Sequence, residues 1–125
     1  MGSMKLLDAV IIIDFLNKVP AAVDFMFDID ARKTAISVVT LAEVLAGATD
    51  DETQHILHFI EHFQIFDINK KLSVSAALLR RQYRWKLPDA FQAAIAMEYK
   101  MSFITRNTKD FSPKKHSFVN IPYVL

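Results

Sequence analysis

Four acidic residues of this sequence are placed where their side chains could act together. Each lies just after a short apolar segment or near the start of a helical pattern, and they are Asp8, Glu43, Asp89 and Asp110. Four carboxylates in one cleft repel one another unless a cation is bound between them. Mg²⁺ and Mn²⁺ bind carboxylate oxygen and water, and such sites promote attack of water on phosphodiesters. These residue types therefore predict a metal-dependent nuclease, provided that the fold brings them together.

Short apolar segments that alternate with helical patterns predict how these acids are positioned. The predicted strands are Lys5–Asp8, Thr34–Val39, Gln64–Ile68, Ser102–Thr105 and Phe118–Val124. The predicted helices cover 20–27, 41–46 (capped by Thr40 and ended by Gly47), 52–63 (capped by Asp50 or Asp51), about 69–84, and 88 to about 100. Alternation of this kind favours an α/β fold with a mainly parallel sheet of four to five short strands flanked by helices.

In a parallel sheet, functional groups collect at the carboxyl ends of the strands and the amino ends of the helices. Asp8 ends the first predicted strand, and Glu43 lies in the first turn of the helix after the second. Asp89 opens the helix that leads to the fourth strand, and Asp110 follows that strand by five residues. Simpler roles are also open: Glu43 as a capping-box partner of Thr40, Asp89 as a helix-start residue, and the other two as loop residues.

The composition fits one domain. The chain has 125 residues with two Gly and four Pro, and we expect residues 1–3 to be an expression remnant and residues 4–125 to form a single domain. The absence of Cys excludes disulfides and thiolate zinc sites and fits a reducing cytoplasm. No membrane segment or secretory signal is predicted, because the longest apolar run, Ala9–Ile13, is short. We therefore expect a cytoplasmic location.

Basic residues are concentrated in the second half of the chain. Residues 64–125 contain eleven Lys or Arg and four Asp or Glu, whereas residues 1–63 contain four and ten. This surface suits a polyanion, although solvated helix faces would give the same pattern. The predicted RNA contacts are Arg80, Arg81, Arg84 and Arg106, and Arg81 is alternatively expected to turn inward and pair with a carboxylate. Tyr83 and Trp85 could stack on bases, but core or dimer packing is the favoured role.

Four sequence blocks resemble the PIN domain, especially the VapC toxins of VapBC toxin–antitoxin systems. They are LLDAVIIIDFL (6–16), ISVVTLAEVLAG (36–47), KLPDAFQAAIAME (86–98) and FITRNTKDF (103–111). The resemblance implies a PIN-like three-layer fold and an acidic site that binds Mg²⁺ or Mn²⁺. It implies an endoribonuclease acting on structured RNA such as transfer RNA, a homodimer, and inhibition by a VapB-like antitoxin.

The resemblance also assigns roles to individual positions. Asp8, Glu43, Asp89 and Asp110 match the four acids of the family, while Thr105 and Asn107 match polar positions beside them. Ala9 departs from the pattern, because the family usually has Thr or Ser there, and loss of a supporting hydrogen bond lowers metal affinity or activity by about 10–100-fold. A weakly active or inactive PIN module that binds RNA or an antitoxin peptide is therefore the alternative function. A DNA-directed nuclease ranks lower, because the chain is short for DNA-clamping elements.

Overall fold

A computed structural model describes residues 4–125, so the predicted expression remnant at residues 1–3 lies outside the described residues. Its centre is a five-stranded sheet in which every neighbouring pair is parallel, in the order β3-β2-β1-β4-β5. The strands are β1 (Lys5–Leu7), β2 (Thr34–Ser37), β3 (Gln64–Phe66), β4 (Ser102–Ile104) and β5 (Val119–Asn120). The predicted fold class is confirmed, and every strand is shorter than the segment predicted for it.

Six helices connect the strands. They are α1 (Ala9–Leu16), α2 (Pro20–Asp28), α3 (Val38–Ala46), α4 (Asp50–Ile60), α5 (Lys70–Tyr83) and α6 (Leu87–Glu98), and one 3₁₀ turn covers Ala31–Lys33. The longest, α5, has 14 residues. Within residues 4–125, no helix is both long enough and apolar enough to cross a bilayer.

The cap predicted for α3 is wrong, because the helix begins three residues earlier, at Val38 instead of Leu41. Strand β2 ends at Ser37, whose hydroxyl accepts a hydrogen bond from the backbone N–H of Thr40 at 3.1 Å. The β-branched residues Val38 and Val39 are therefore the first residues of the helix and not the end of the strand. Glu43 consequently lies beyond the first turn of α3 and is no capping-box partner of Thr40.

The cap of α4 also differs from the prediction. The cap is Thr49 and neither Asp50 nor Asp51. Its hydroxyl accepts a hydrogen bond from the backbone N–H of Glu52, and the Glu52 carboxylate accepts one from the backbone N–H of Thr49. A threonine followed three residues later by a glutamate forms this reciprocal capping box. The start of the helix thus moves back by two residues, from Glu52 to Asp50.

The sheet divides the core into two halves, because successive strand residues point to opposite faces. Leu6 of β1 packs on the side of α5 and α6, and Leu7 packs on the side of α1, α3 and α4. Phe103 and Ile104 of β4 alternate in the same way. Helices thus cover both faces of the sheet in three layers, which explains why the strands are nearly continuous in apolar residues.

Candidate active site at the carboxyl edge of the sheet

A cleft of about 530 Å³ opens where the strands end and the helices begin. Three of the four predicted acids line it, each from a different element: Asp8 between β1 and α1, Glu43 on α3, and Asp89 in the first turn of α6. The fold therefore brings together side chains that are up to 81 positions apart in the sequence. We refer to this space, defined by these three acids, as the acidic cleft.

Asp8 is the most firmly held of the three acids. One carboxylate oxygen accepts from the backbone N–H of Ala9 at 2.8 Å and so caps α1, and the other accepts from the hydroxyl of Thr105 at 2.7 Å. Its own backbone N–H donates to the carbonyl of Ile104 at 2.9 Å. Burial raises the pKa of Asp8 above its ordinary value, although these hydrogen bonds act in the opposite direction. The side chain is fixed in place while its charge remains unfavourable.

Glu43 and Asp89 add negative charge that residues 4–125 compensate poorly. Burial, followed by repulsion from Asp8 and Asp110, raises the pKa of Asp89 to about 6, and only Lys86 opposes the shift. Burial and repulsion from Asp8 and Asp89 raise the pKa of Glu43. Neither carboxylate makes a salt bridge within residues 4–125. Such mutual repulsion is the state expected of carboxylates that share a cation.

The donor set of the acidic cleft matches a hard divalent cation. Its carboxylate oxygens are the ligands that Mg²⁺ and Mn²⁺ prefer, and both ions retain water where protein ligands are few. In the part of the chain that the structure describes, however, no three His, Asp or Glu side chains are close enough to form a ready-made cation cage. The carboxylates face a shared space and would have to draw closer around an ion.

Asp110 occupies a different position from the other three acids. It lines a neighbouring pocket together with Tyr83 and Trp85, and it does not line the acidic cleft. Its carboxylate accepts from the side-chain amide of Asn107 at 3.1 Å, and its negative charge contributes to the raised pKa of Asp89. Asp110 therefore lies beside the acidic cleft and influences it through its negative charge.

Thr105 and Asn107, the two predicted supporting residues, form a connected chain of hydrogen bonds. The Thr105 hydroxyl donates to Asp8 and accepts from the backbone N–H of Asn107 at 3.1 Å. The Asn107 side chain in turn accepts from the backbone N–H of Asp110 at 3.3 Å. The segment after β4 thus connects the first acid to the fourth and holds both in position.

A buried polar network beneath Asp8 was not predicted. Gln92, which is 0% exposed, donates to the hydroxyl of Thr40 and accepts from the hydroxyl of Ser37 at 2.7 Å. Thr40 donates to the carbonyl of Leu7 at 3.3 Å, and Gln92 also helps to lower the pKa of Asp8. The network joins β1, α3 and α6. One signal was available, because residue 92 is three positions after Asp89 and lies on the same face of the helix.

Arg106 lies at the rim of the acidic cleft and is held there by a carboxylate. Its Nε and Nη2 groups donate to Asp14 at 2.6 and 3.0 Å, and the hydroxyl of Tyr123 donates to the same carboxylate at 2.9 Å. The Arg106 guanidinium lowers the pKa of Asp14. Asp14 lies outside the set of residues that line the acidic cleft. Its part is to hold the arginine.

The three predicted arginines of α5 lie at its carboxyl end. Arg80, Arg81 and Arg84 are all exposed, and none makes a salt bridge within residues 4–125, so the inward pairing expected for Arg81 is wrong. Arg80 donates to the carbonyl of Trp85. Arg84 ends the helix in a left-handed conformation with φ of 60°, which is uncommon for a residue other than glycine.

Comparison with known proteins identifies the fold family. A family model described as the PIN domain matches residues 5–115. A chain of a toxin–antitoxin complex from Klebsiella pneumoniae is 32% identical with a TM-score of 0.89, covering 97% of this chain and 99% of that one. No curated protein matches the sequence significantly.

Two more distant structures share the fold. FitAcB from Neisseria gonorrhoeae is 22% identical with a TM-score of 0.77, covering 98% of this chain and 100% of that one. DNA-bound VapBC from Salmonella typhimurium is 19% identical with a TM-score of 0.72, covering 88% and 91%. Because the family model spans nearly the whole chain and the fold agrees, this protein belongs to the PIN domain family.

Proposed function

We propose that this protein is a Mg²⁺- or Mn²⁺-dependent endoribonuclease, the toxin of a type II toxin–antitoxin system, that cleaves structured RNA by metal-assisted phosphodiester hydrolysis. PIN domains are generally nucleases, and the similarity to a chain of a Klebsiella pneumoniae toxin–antitoxin complex supports the toxin role. The observation that carries the proposal is the acidic cleft, in which three carboxylates with raised pKa values face one another and none makes a salt bridge within residues 4–125.

The side chains of the acidic cleft have different proposed roles in binding the metal ion, according to how firmly each side chain is held. Asp8, fixed by Thr105 and by the N–H of Ala9, is the anchoring ligand. Glu43 and Asp89 complete the ligand set from α3 and α6. Asp110 lies beside the acidic cleft, and its negative charge raises the pKa of Asp89. When bound, Mg²⁺ or Mn²⁺ lowers the pKa of coordinated water and neutralises charge that develops on the phosphate.

Arg106 is the residue that we assign to the scissile phosphate. Its guanidinium lines the acidic cleft, and Asp14 holds its Nε and Nη2 groups, which leaves Nη1 for an oxygen of the RNA backbone. Guanidinium–phosphate contacts are charge-assisted and directional. Arg80, Arg81 and Arg84 remain proposed contacts for more distant phosphates, because all three are exposed.

The proposal is tested by incubating purified protein with end-labelled transfer RNA and Mn²⁺. We expect cleavage that EDTA abolishes and that Asp8→Asn or Asp89→Asn lowers by at least about a hundredfold, since each substitution removes a charged ligand. Asp24→Asn on the exposed surface of α2 is the matched control and keeps full activity. If Mn²⁺-dependent cleavage is unaffected by both cleft substitutions, the assignment is wrong.

The second candidate function is a PIN module that binds without turnover, and Ala9 is the observation that favours it. Ala9 lines the acidic cleft next to Asp8 and has no hydroxyl to support that carboxylate. Thr105 supplies a hydroxyl to Asp8 from the other side, which favours an active enzyme. Calorimetric titration with Mn²⁺ separates the two functions, because a purely binding module shows no Mn²⁺ binding that depends on Asp8 and Asp89.

Two protein partners belong to the proposal. A VapB-like antitoxin is supported by the similarity to a toxin–antitoxin complex. A homodimer is supported by exposed apolar side chains on α5 and α6, of which Val74, Leu78 and Met97 are each about half exposed. Light scattering of the isolated chain and of the chain mixed with its antitoxin measures both associations.

A further inference from the structure

A second pocket adjoins the acidic cleft on the side of Asp110. It has a volume of about 590 Å³, and its lining residues include Tyr83, Trp85, Lys115 and His116. Thr108 and Lys109 line both spaces, so the pocket and the acidic cleft adjoin each other along these two residues. We call this second space the aromatic pocket.

The wall of the aromatic pocket is a rigid stack of rings. Tyr83 and Trp85 are stacked with ring centroids 4.5 Å apart and planes inclined by 18°, and His116 contacts both rings edge-on at 5.0 and 5.1 Å. Trp85 is only 4% exposed, and its indole N–H donates to the backbone carbonyl of Asp110 at 3.1 Å. Tyr83, by contrast, is 41% exposed. A fixed ring therefore supports an accessible one, as in a platform for base stacking.

The rim of the aromatic pocket is basic. Lys109 and Lys115 are exposed, and neither makes a salt bridge within the described part of the chain. Two ammonium groups beside an aromatic platform match the two parts of a nucleotide, a flat base and an anionic phosphate. The volume also lies within the range of pockets that enclose small ligands. The Asp and Glu side chains of an acidic peptide would use the lysines but carry no flat ring to place on Tyr83.

We propose that the aromatic pocket binds one nucleotide of a single-stranded RNA segment next to the phosphate that is cut. Its base stacks on Tyr83, and Lys109 and Lys115 contact its phosphates, so that the adjoining phosphate enters the acidic cleft. Proteins recognise RNA largely through unstacked bases in loops and ends, for which aromatic side chains provide a surface. This inference rests on the proposed function, since it names a substrate subsite that adjoins the proposed active site.

Trp85 is the only tryptophan of the chain, so binding can be followed without labels. The probe is a six-nucleotide oligouridylate with 2′-O-methyl groups, in EDTA, where cleavage cannot occur. We expect saturable quenching of Trp85 fluorescence by this unlabelled probe. For the variants, the same oligonucleotide is made with a fluorescein label and binding is measured by anisotropy, where Tyr83→Ala weakens binding about tenfold because one stacked base is lost. Tyr83→Phe keeps the ring and binds like the wild type. Lys114→Ala, an exposed residue that does not line the pocket, is the control.

Lys115→Ala supplies a readout that does not depend on the packing of Tyr83. Loss of one phosphate contact reduces the slope of log affinity against log salt concentration by about 0.7 for single strands. In the Mn²⁺-dependent cleavage assay, Tyr83→Ala raises KM for transfer RNA with little change in kcat. Circular dichroism establishes that each variant is folded before it is compared.

The two proposals fail in different ways. If RNA is cleaved in an Asp8-dependent manner but Tyr83→Ala and Lys115→Ala bind the oligouridylate as the wild type does, the subsite is wrong and the nuclease stands. If both variants weaken binding while Asp8→Asn leaves cleavage unchanged, the pocket binds RNA and the proposed active site is wrong. If the wild type binds no oligouridylate, the subsite is overturned as well.

Discussion

Two buried aspartates at opposite ends of α1 have contrasting environments. Asp8 precedes the helix and faces the acidic cleft, where burial raises its pKa and two other acids stand nearby. Asp14 lies near the end of the same helix, where Arg106 and Tyr123 donate three hydrogen bonds to its carboxylate and its pKa is lowered. Helix α1 is thus preceded by a carboxylate whose pKa is raised, that of Asp8, and contains one whose pKa is lowered, that of Asp14. We infer that Asp14 serves folding, whereas Asp8 serves binding at a cost in stability.

The largest effect is expected from Asp14→Asn. The substitution leaves the guanidinium of Arg106 without its counter-charge, and removing one partner of a buried ion pair costs several kcal/mol. Because Arg106 is partly exposed, we expect the free energy of unfolding to fall by about 2–3 kcal/mol after allowance for screening. Urea denaturation measures it. Asp8→Asn is the matched variant and should change the free energy of unfolding by less than about 1 kcal/mol, since Asn can still cap α1 and removal of the unfavourable buried charge offsets the altered contact with Thr105. Equal losses for both variants would contradict the distinction.

Asp89→Asn should change stability in the opposite direction. The pKa of Asp89 in the folded protein is raised to about 6 from the ordinary value of 3.8 for an aspartate, so its charge opposes folding at neutral pH. With allowance for solvent screening at a half-buried site, removing the charge stabilises the metal-free protein by about 1 kcal/mol. Thermal unfolding in EDTA at pH 7 measures the gain.

The sign of this effect can be checked through its pH dependence. Between about pH 4 and pH 6 the unfolded chain has released the Asp89 proton while the folded protein retains it, so wild-type stability falls as pH rises through this window. The advantage of Asp89→Asn should therefore grow over that range and then stay level. Asp14, with its lowered pKa, behaves conversely: its contribution is present above about pH 4 and is lost as the pH falls further. An advantage of Asp89→Asn that is independent of pH would refute the electrostatic cause.

The smallest effect is expected from Ala9→Ser, which restores a hydroxyl beside Asp8. Supporting hydrogen bonds to a ligand strengthen metal sites, but Thr105 already donates to this carboxylate. We therefore expect Mn²⁺ affinity to increase only on the order of threefold, with little change in the urea midpoint. Calorimetry measures the affinity. The hydrogen bond from Thr105 to Asp8 is tested by Thr105→Val, which should weaken Mn²⁺ binding more than Ala9→Ser strengthens it.

The sequence predicted the architecture well, because strand and helix periodicities are local. All five strands lie within the segments predicted for them, and the parallel sheet follows from their alternation with helices. The error at the start of α3 arose where the strand propensity of two residues competed with a helix cap. Val38 and Val39 favour a strand by their branching, but Ser37 caps a helix at that point, and the helix includes both.

The candidate site was partly predictable for the same reason. A residue that follows a parallel strand must lie at the carboxyl edge, and this rule placed Asp8, Glu43 and Asp89 together. It did not distinguish Asp110, which lies on the far side of Thr108 and Lys109 in the aromatic pocket. The position of a loop residue depends on its own hydrogen bonds, here those between Asn107 and Asp110.

The sequence by itself determined the fold class and which residues are candidates for the chemistry, since acids, apolar strands and helix starts are properties of short segments. Only the tertiary structure decided how each charge is balanced. Arg106 is 92 positions from Asp14 and Tyr123 is 109 positions from it, yet both donate to its carboxylate, and no comparable partner reaches Asp89 within residues 4–125. Whether a buried carboxylate stabilises the fold or remains available to bind a cation depends on residues that are distant in sequence but close in space, because burial penalises a charge that has no partner nearby.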